Sequence, residues 1–199
     1  MKDSQTKRIL GFYDEHAEYV RNDRYSDSSQ TVYTRPEDKY HWLVAKPMGK
    51  NRLEVHQTDE HGVITARDTY ESQRNTFQCV DVERLQADGK HRVHFSEDEI
   101  NLVYQYGDGG KADMLAMLHQ IQPRIKDHML KDIVTQTADK VSSLAPEVCS
   151  KLISSAKNRK LYERDHSIIE RLAKAKAKSK QLVNTEQKKD TSRRKEQSL

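Results

Sequence analysis

The chain has 199 residues, 34% of them hydrophobic and 33% charged. That balance gives a lean core for the length and places part of the chain outside it. No apolar run reaches the roughly eighteen residues of a membrane span, and the charged N-terminal stretch lacks the apolar region of a signal peptide, so a cytoplasmic protein without a membrane partner is expected.

The net charge of +4 is unevenly spread. From Lys157 onward there are 14 Lys plus Arg against 6 Asp plus Glu, a net +8, whereas the preceding 156 residues hold 21 against 25, a net −4. A weakly acidic body thus carries a basic tail. The two cysteines, Cys79 and Cys149, form no CxxC pair and read as free buried thiols rather than a disulfide framework or a zinc site.

In chain order, residues 4–22 carry Ile9, Tyr13, Ala17 and Val20 at helical spacing, which predicts a first helix weakened by Gly11. RNDRYSDSSQ reads as a loop. From Thr31 to Phe95 the period shortens to two: TVYT, KYHWLVAK, NRLEVHQ, GVITARDTY, TFQCVDVERL and HRVHF are strand-like. Ala87 to Lys90 supplies an Asp-Gly tight turn. Within TFQCVDVERL the alternation fits either Phe77, Cys79 and Asp81 or Val80 and Val82. The expectation is a four- or five-stranded antiparallel meander with one wet face.

At Ser96 the period becomes helical. Ser96 and Glu99 make a capping box, and Glu97, Asp98 and Glu99 fill a first turn where the helix dipole favours carboxylates. Ile100, Val103 and Tyr104 share a face that ends at the glycines of GDGGK. Ala112, Leu115 and Leu118 begin a second stripe, Pro123 marks a new start, and Pro146 opens a short helix through Leu152 and Ile153. A long basic helix follows from Asn158, and the composition after Asn184 predicts disorder.

GDGGK resembles a phosphate loop only superficially. Such a loop follows a strand, keeps G-x-x-x-x-G-K-[ST] spacing and places Ser or Thr after the lysine. Here a helix precedes the glycines and Ala112 follows Lys111. The stretch reads as a helix stop and tight turn, with Lys111 as an exposed point charge. His91 and His94, three apart on a strand, are expected on opposite faces. No HExxH, no G-x-S-x-G and no cysteine signature occurs. No catalytic residue, metal ligand or cofactor is therefore assigned, and an enzyme is not expected.

The basic tail is the feature with a functional pull. Arg159, Lys160, Arg164, Arg171, Lys174, Lys176, Lys178 and Lys180 recur along one expected helix, in a pattern suited to lying along nucleic-acid phosphates. The strand aromatics Tyr33, Tyr40, Trp42, Tyr70 and Phe77 fit core packing better than base stacking. A thin apolar stripe on the basic helix leaves a homo-oligomer possible.

FSEDEINLVYQYGDGGKADMLAML, followed by SSLAPEVCSKL, resembles the transposon-transfer assisting protein family of conjugative transposons over residues 95–155. Phe95, Ser96, Glu99, Leu102, Tyr104, Gly107, Lys111 and Leu115 fill its pattern, with Leu144 and Val148 near its end; Asp98 and the Gly109-Gly110 pair depart from it. The resemblance implies an accessory protein of a mobile genetic element, and it brings no catalytic residues.

These readings converge on an α+β protein: an N-terminal helix with an antiparallel β-rich domain over 1–95, a helical domain over 96–156, and a basic helix with a disordered tail over 157–199. The expected function is a non-catalytic accessory protein binding DNA, RNA or a host nucleoprotein complex. The alternative is an inhibitor of a host defence nuclease, of anti-CRISPR or anti-restriction type, docking by direct protein–protein binding.

Overall fold

The structure is a computed structural model that describes residues 3–13, 20–34, 42–73 and 76–164. The protein is α+β. The chain forms two compact units, 1–159 and 160–199. Sheet and helices thus belong together in the first unit, and no boundary falls at 95.

The first unit opens with helix α1 (Asp3–Leu10), shorter than the expected 4–22. Gly11 to Tyr13 turn away from it, with Phe12 N and Tyr13 N still bonded to the carbonyls of Ile9 and Leu10. Val20–Arg21, assigned to that helix by periodicity, is instead the first strand, β1. Then follow β2 (Thr31–Thr34), β3 (Leu43–Pro47), β4 (Arg52–Thr58), β5 (Ile64–Gln73), β6 (Thr76–Leu85) and β7 (Arg92–His94). They form one seven-stranded sheet in sequence order, every neighbouring pair antiparallel. The expected meander is present and larger than expected, because short β1 and β2 extend it. Residues 39–41 of the KYHWLVAK run lie outside the described residues.

A bulge in β6 settles the ambiguous alternation of TFQCVDVERL. Tyr70 of β5 pairs with Cys79 and Thr69 pairs with Asp81, so Val80 has no partner of its own. One extra residue shifts the period-two pattern by one. Phe77 and Cys79 before the bulge, and Val82 and Arg84 after it, therefore share one face. Their register partners on that face are Ser72, Tyr70, Asp68 and Ala66. The row continues through Leu53, Val55 and Gln57 of β4 to Leu43 and Ala45 of β3.

The opposite face is polar, as expected, and is laced by cross-strand ion pairs: Arg92 to Glu83 at 3.0 Å, His94 to Asp81 at 3.0 Å, and Arg52 to Glu71 at 3.6 Å. It is not uniformly wet. Val32, Val44 and His56 form one register row across β2 to β4, and Val32 and His56 are buried. Burial pushes the His56 imidazole below its ordinary value despite the Glu54 carboxylate bonded to it.

Helix α2 (Glu97–Tyr106) begins with the capping box read from the sequence: Ser96 Oγ accepts from Glu99 N at 3.3 Å, and Glu99 Oε2 accepts from Ser96 N at 2.8 Å. Gly107–Gly109 form a 3-10 turn into α3 (Gly110–Ile121); Gln122–Arg124 form another, and α4 (His128–Ser142) is capped by Asp127. Pro123 thus lies in the turn, five residues before α4. Helix α5 opens at Pro146, as expected, but does not stop at Ile153: residues through 159 belong to the first unit, and in the second 160–164 are helical.

One apolar cluster joins the layers. Val82 and Phe95 from the sheet side pack with Ile100, Val103, Met114, Leu118, Val134, Val141, Cys149 and Leu152 from the helices. Of the expected apolar positions, Ile100, Val103 and Leu118 fall in it and Leu115 packs against it, because helices of this length gain their stability from burying one face, whereas Tyr104 and Ala112 are exposed. A bridge between Gln86 and Leu144, and a bond from Ala87 N to Ser143 O at 2.8 Å, tie the end of β6 to the α4–α5 corner.

Gly107 sits where helices α2 and α5 approach: a Cβ there would lie 2.9 Å from Ile153 Cγ2 and 3.0 Å from Cγ1. Ile153 is a β-branched core residue with little freedom to yield. Gly107→Ala is expected to destabilise by about 1–3 kcal/mol through overpacking, read as a lowered urea midpoint with an unchanged slope, and Ile153→Ala, which removes both γ carbons that the new Cβ meets, should cost less in the Gly107→Ala chain than in the parent chain.

Candidate functional site

The residues proposed for nucleic-acid contact do not share one environment. Arg159, the first of them, is a correction: its side chain is buried, with 5% of the residue exposed, and it lies inside the first unit. The helical reading of the basic segment placed it correctly on a helix, but the apolar positions Leu152, Ile153 and Ala156 turn this part of α5 onto the sheet and carry Arg159 with them. Lys160 donates to Glu163 Oε2 at 2.8 Å, an i,i+3 pair within the second unit. Arg164 is exposed. Arg171, Lys174, Lys176, Lys178 and Lys180 lie outside the described residues.

Arg159 belongs to a buried polar cluster that the sequence did not reveal. At its centre is Asp68 of β5, fully buried on the helix-covered face. Arg84 of β6 grips it bidentately, Nη1 to Oδ1 at 2.5 Å and Nη2 to Oδ2 at 3.1 Å. The Tyr13 hydroxyl donates to Oδ2 at 2.6 Å and lies 3.0 Å from the Tyr70 hydroxyl. Arg84 Nη2 also reaches Ser155 Oγ of α5 at 3.3 Å, and Nη1 reaches Glu83 O at 2.8 Å. Cys79 and Arg159 stand beside this group; Arg159 Nη2 is buried without a hydrogen-bond acceptor.

The chemistry of the cluster is that of a proton-retaining interior. Burial raises the phenols of Tyr13 and Tyr70 well above their ordinary value, and the Asp68 charge pushes the same way. Burial pushes the Cys79 thiol up to about 11, although Arg159 favours the thiolate. All three groups keep their protons at neutral pH, so none is poised as a nucleophile or base. The cluster cross-links four parts of the chain, the turn after α1, β5, β6 and α5, rather than presenting reactive groups.

The glycine joint holds its shape for structural reasons. Gly107 retains a right-handed conformation, φ −81°, and the turn is made at Gly110, φ 84° and ψ −169°, a combination open essentially to glycine. Lys111 is not an exposed point charge, contrary to expectation: its Nζ donates to Ser142 O at 2.9 Å and Leu144 O at 2.5 Å. It thereby satisfies carbonyls at the C-terminal end of α4, where a cation is also favoured by the helix dipole. Glu99 likewise does more than cap its helix, since Lys140 Nζ lies 2.7 Å from its Oε1 and 2.8 Å from its Oε2.

Among the described residues no group of three or more His, Cys, Asp or Glu side chains is arranged to hold a metal ion. His91 pairs with Asp88 in the β6–β7 turn at 2.5 Å, and His94 with Asp81. Of the aromatics, Tyr70 and Phe77 are core and pack edge to face at 6.1 Å, Trp42 lies against Tyr25 at 4.8 Å, and Tyr40 lies outside the described residues. Both cysteines are free. No described helix is long and apolar enough to cross a membrane.

Comparison with known proteins finds no matching family model, no matching curated protein and no matching solved structure.

The buried cluster has measurable consequences for stability. Asp68→Leu alone leaves Arg84 buried without its carboxylate and is expected to cost about 3–5 kcal/mol; Asp68→Leu with Arg84→Met removes both charges and should be less destabilised than the single variant in urea unfolding. Strict additivity of the two single changes would contradict this coupling. The raised phenols set an alkaline limit. Their stabilising contribution is complete below the unfolded tyrosine value of about 10 and is lost as pH rises through the higher folded values. Thermal midpoints should therefore fall above that pH, and the near-ultraviolet tyrosinate signal of Tyr13 and Tyr70 should emerge only with unfolding; Tyr13→Phe should reduce the alkaline loss.

Proposed function

We propose that the protein is a non-catalytic binding protein whose cationic C-terminal segment engages nucleic acid or a nucleoprotein complex. The carrying observation is charge segregation that coincides with the division into two units. Residues 160–199 hold 12 Lys plus Arg against 6 Asp plus Glu, a net +6, while 1–159 hold 23 against 25, a net −2. Such a segment neutralises phosphates and releases their counterions, giving affinity with steep salt dependence and little sequence preference. Arg159 is not part of this surface. The residues that carry it are Arg164, Arg171, Lys174, Lys176, Lys178 and Lys180, with Lys160 partly engaged by Glu163.

The place of this activity in a mobile genetic element rests on the pattern of residues 95–155. Within that pattern four residues serve the fold. Ser96 caps α2, Glu99 completes the cap and pairs with Lys140, Gly107 permits a close helix approach, and Lys111 clamps carbonyls. The resemblance therefore supports a shared helical unit more directly than a shared partner.

Fluorescence anisotropy with labelled single- and double-stranded DNA and with RNA, over a range of salt, tests the reading. Changing Arg171, Lys174, Lys176, Lys178 and Lys180 together to Glu in the full chain should abolish most binding. It should also flatten the salt dependence by about 0.9 log unit per log unit of salt for each duplex phosphate no longer neutralised. Unchanged, salt-insensitive binding would refute the role of the segment.

A further inference from the structure

A second surface, independent of the cationic segment, lies at one end of the α3–α4 hairpin. Two links fix these helices antiparallel. At one end Lys111 reaches the carbonyls of Ser142 and Leu144; at the other Gln122 Nε2 donates to Thr135 Oγ1 at 2.7 Å. The turn between the helices, 122–127, closes the second end.

At that end the apolar pattern outruns the core. On α4, Leu130 precedes Val134, Thr137 and Val141 at helical spacing, and these three are buried. Leu130 continues the stripe by one turn but is 45% exposed. Met129, one residue before, is 77% exposed, the largest exposure among the large hydrophobic residues described. Ile121 and Ile125, at either end of the turn's 3-10 segment, only partly enter the core, and Met117 one turn before Ile121 is 42% exposed. Nothing in the folding of the hairpin requires Met129 to be apolar, since it lies off the buried stripe.

The surrounding charge is informative. Arg124, Lys126 and Lys131 are exposed, and among the described residues none has an ion-pair partner. His119 and His128 are exposed in the same region. Two carboxylates lie nearby, Asp132 and Asp127; the latter accepts from Leu130 N at 3.0 Å, keeps its charge and offsets the dipole at the start of α4, so the three cations exceed the carboxylates by one. An apolar strip with a cationic rim is complementary to an occupant that is apolar and acidic.

We propose that this end of the hairpin docks a partner protein through an acidic amphipathic helical segment, with Met129 and Leu130 as the apolar anchors and Arg124, Lys126 and Lys131 pairing with its carboxylates. A second copy is disfavoured because two-fold docking of the same patch sets its three cations against their own copies. Methionine and arginine are the residue types enriched in protein interfaces, and flexible methionine side chains repack against a helix face. Unlike the proposed function, this surface needs neither the basic segment nor nucleic acid.

The test uses the full chain and a displayed library of random peptides spanning about four helical turns. Selection should enrich peptides that combine Asp or Glu with apolar residues at i, i+3 or i+4, and i+7. Their affinity should fall about tenfold or more for Met129→Ser with Leu130→Ser, and again for Arg124→Glu with Lys131→Glu. All four positions are exposed, and unchanged circular dichroism and urea midpoints confirm that the variants fold. Peptides that bind both variants as well as the parent chain overturn the proposal, as does a selection with no acidic bias. Binding to phosphatidylcholine–phosphatidylserine vesicles, or self-association in sedimentation, that is lost in the Met129/Leu130 variant would assign the patch to a lipid surface or a second copy instead, and would equally overturn it.

Discussion

A carboxylate fully removed from water must be surrounded by donors, and Asp68 draws its donors from distant parts of the chain. Tyr13 comes from the turn after α1 and Arg84 from the neighbouring strand, while Ser155 is held at one remove through Arg84. The central strands, the N-terminal turn and the last helix therefore share one electrostatic anchor. A hydrophobic interior would tolerate sliding of α5 along the sheet; a bidentate guanidinium with a further hydroxyl contact does not. The bulge at Val80 makes this possible, because without it Cys79 and Arg84 would point to opposite faces. Two guanidinium groups stand near one carboxylate, so this interior carries more positive than negative charge, with Arg159 Nη2 left without an acceptor.

Features set by neighbours in sequence were legible. The capping box at Ser96 and Glu99, the Asp-Gly turn near Gly89 and the strand-like alternation all arise from residues within a few positions of one another, and the structure contains each of them. Interactions spanning many residues were not. Lys111 finds its carbonyls 31 and 33 residues away, Lys140 reaches Glu99 across 41, and Arg84 meets Ser155 across 71. Nothing in local spacing encodes such partners. Arg159 shows the same limit from the other side: a basic residue in a basic stretch reads as surface, yet the apolar face of α5 that precedes it turns it inward. The β6 alternation was ambiguous because two half-patterns of opposite phase were both correct, one on each side of a bulge.

The first unit is close to neutral and uses its charged groups internally. Glu83 receives Arg92, Glu99 receives Lys140, and Asp68 receives Arg84. Beyond these pairs, Arg124, Lys126 and Lys131 gather at the rim of the α3–α4 turn, and the 160–199 segment is cationic by composition. Under the proposed function, binding by the segment would be long-ranged, non-directional and sensitive to salt, whereas the proposed contact at the turn would depend on apolar fit and survive salt far better. Such a division would let one surface bring partners together quickly and the other decide which of them stay.

The sheet also guards itself against growth. At one border its outermost described strand, Val20–Arg21, is only two residues long. At the other, Arg92–His94 pairs with only Glu83 to Leu85 of the ten-residue Thr76–Leu85, so among the described strands the stretch from Thr76 to Asp81 has a neighbour on one side alone. The bulge at Val80 falls within that open stretch, and a foreign strand aligning along it would lose register after a few residues. The same extra residue that brings Cys79 and Arg84 to one face thus also spoils this border as a template for a fibril.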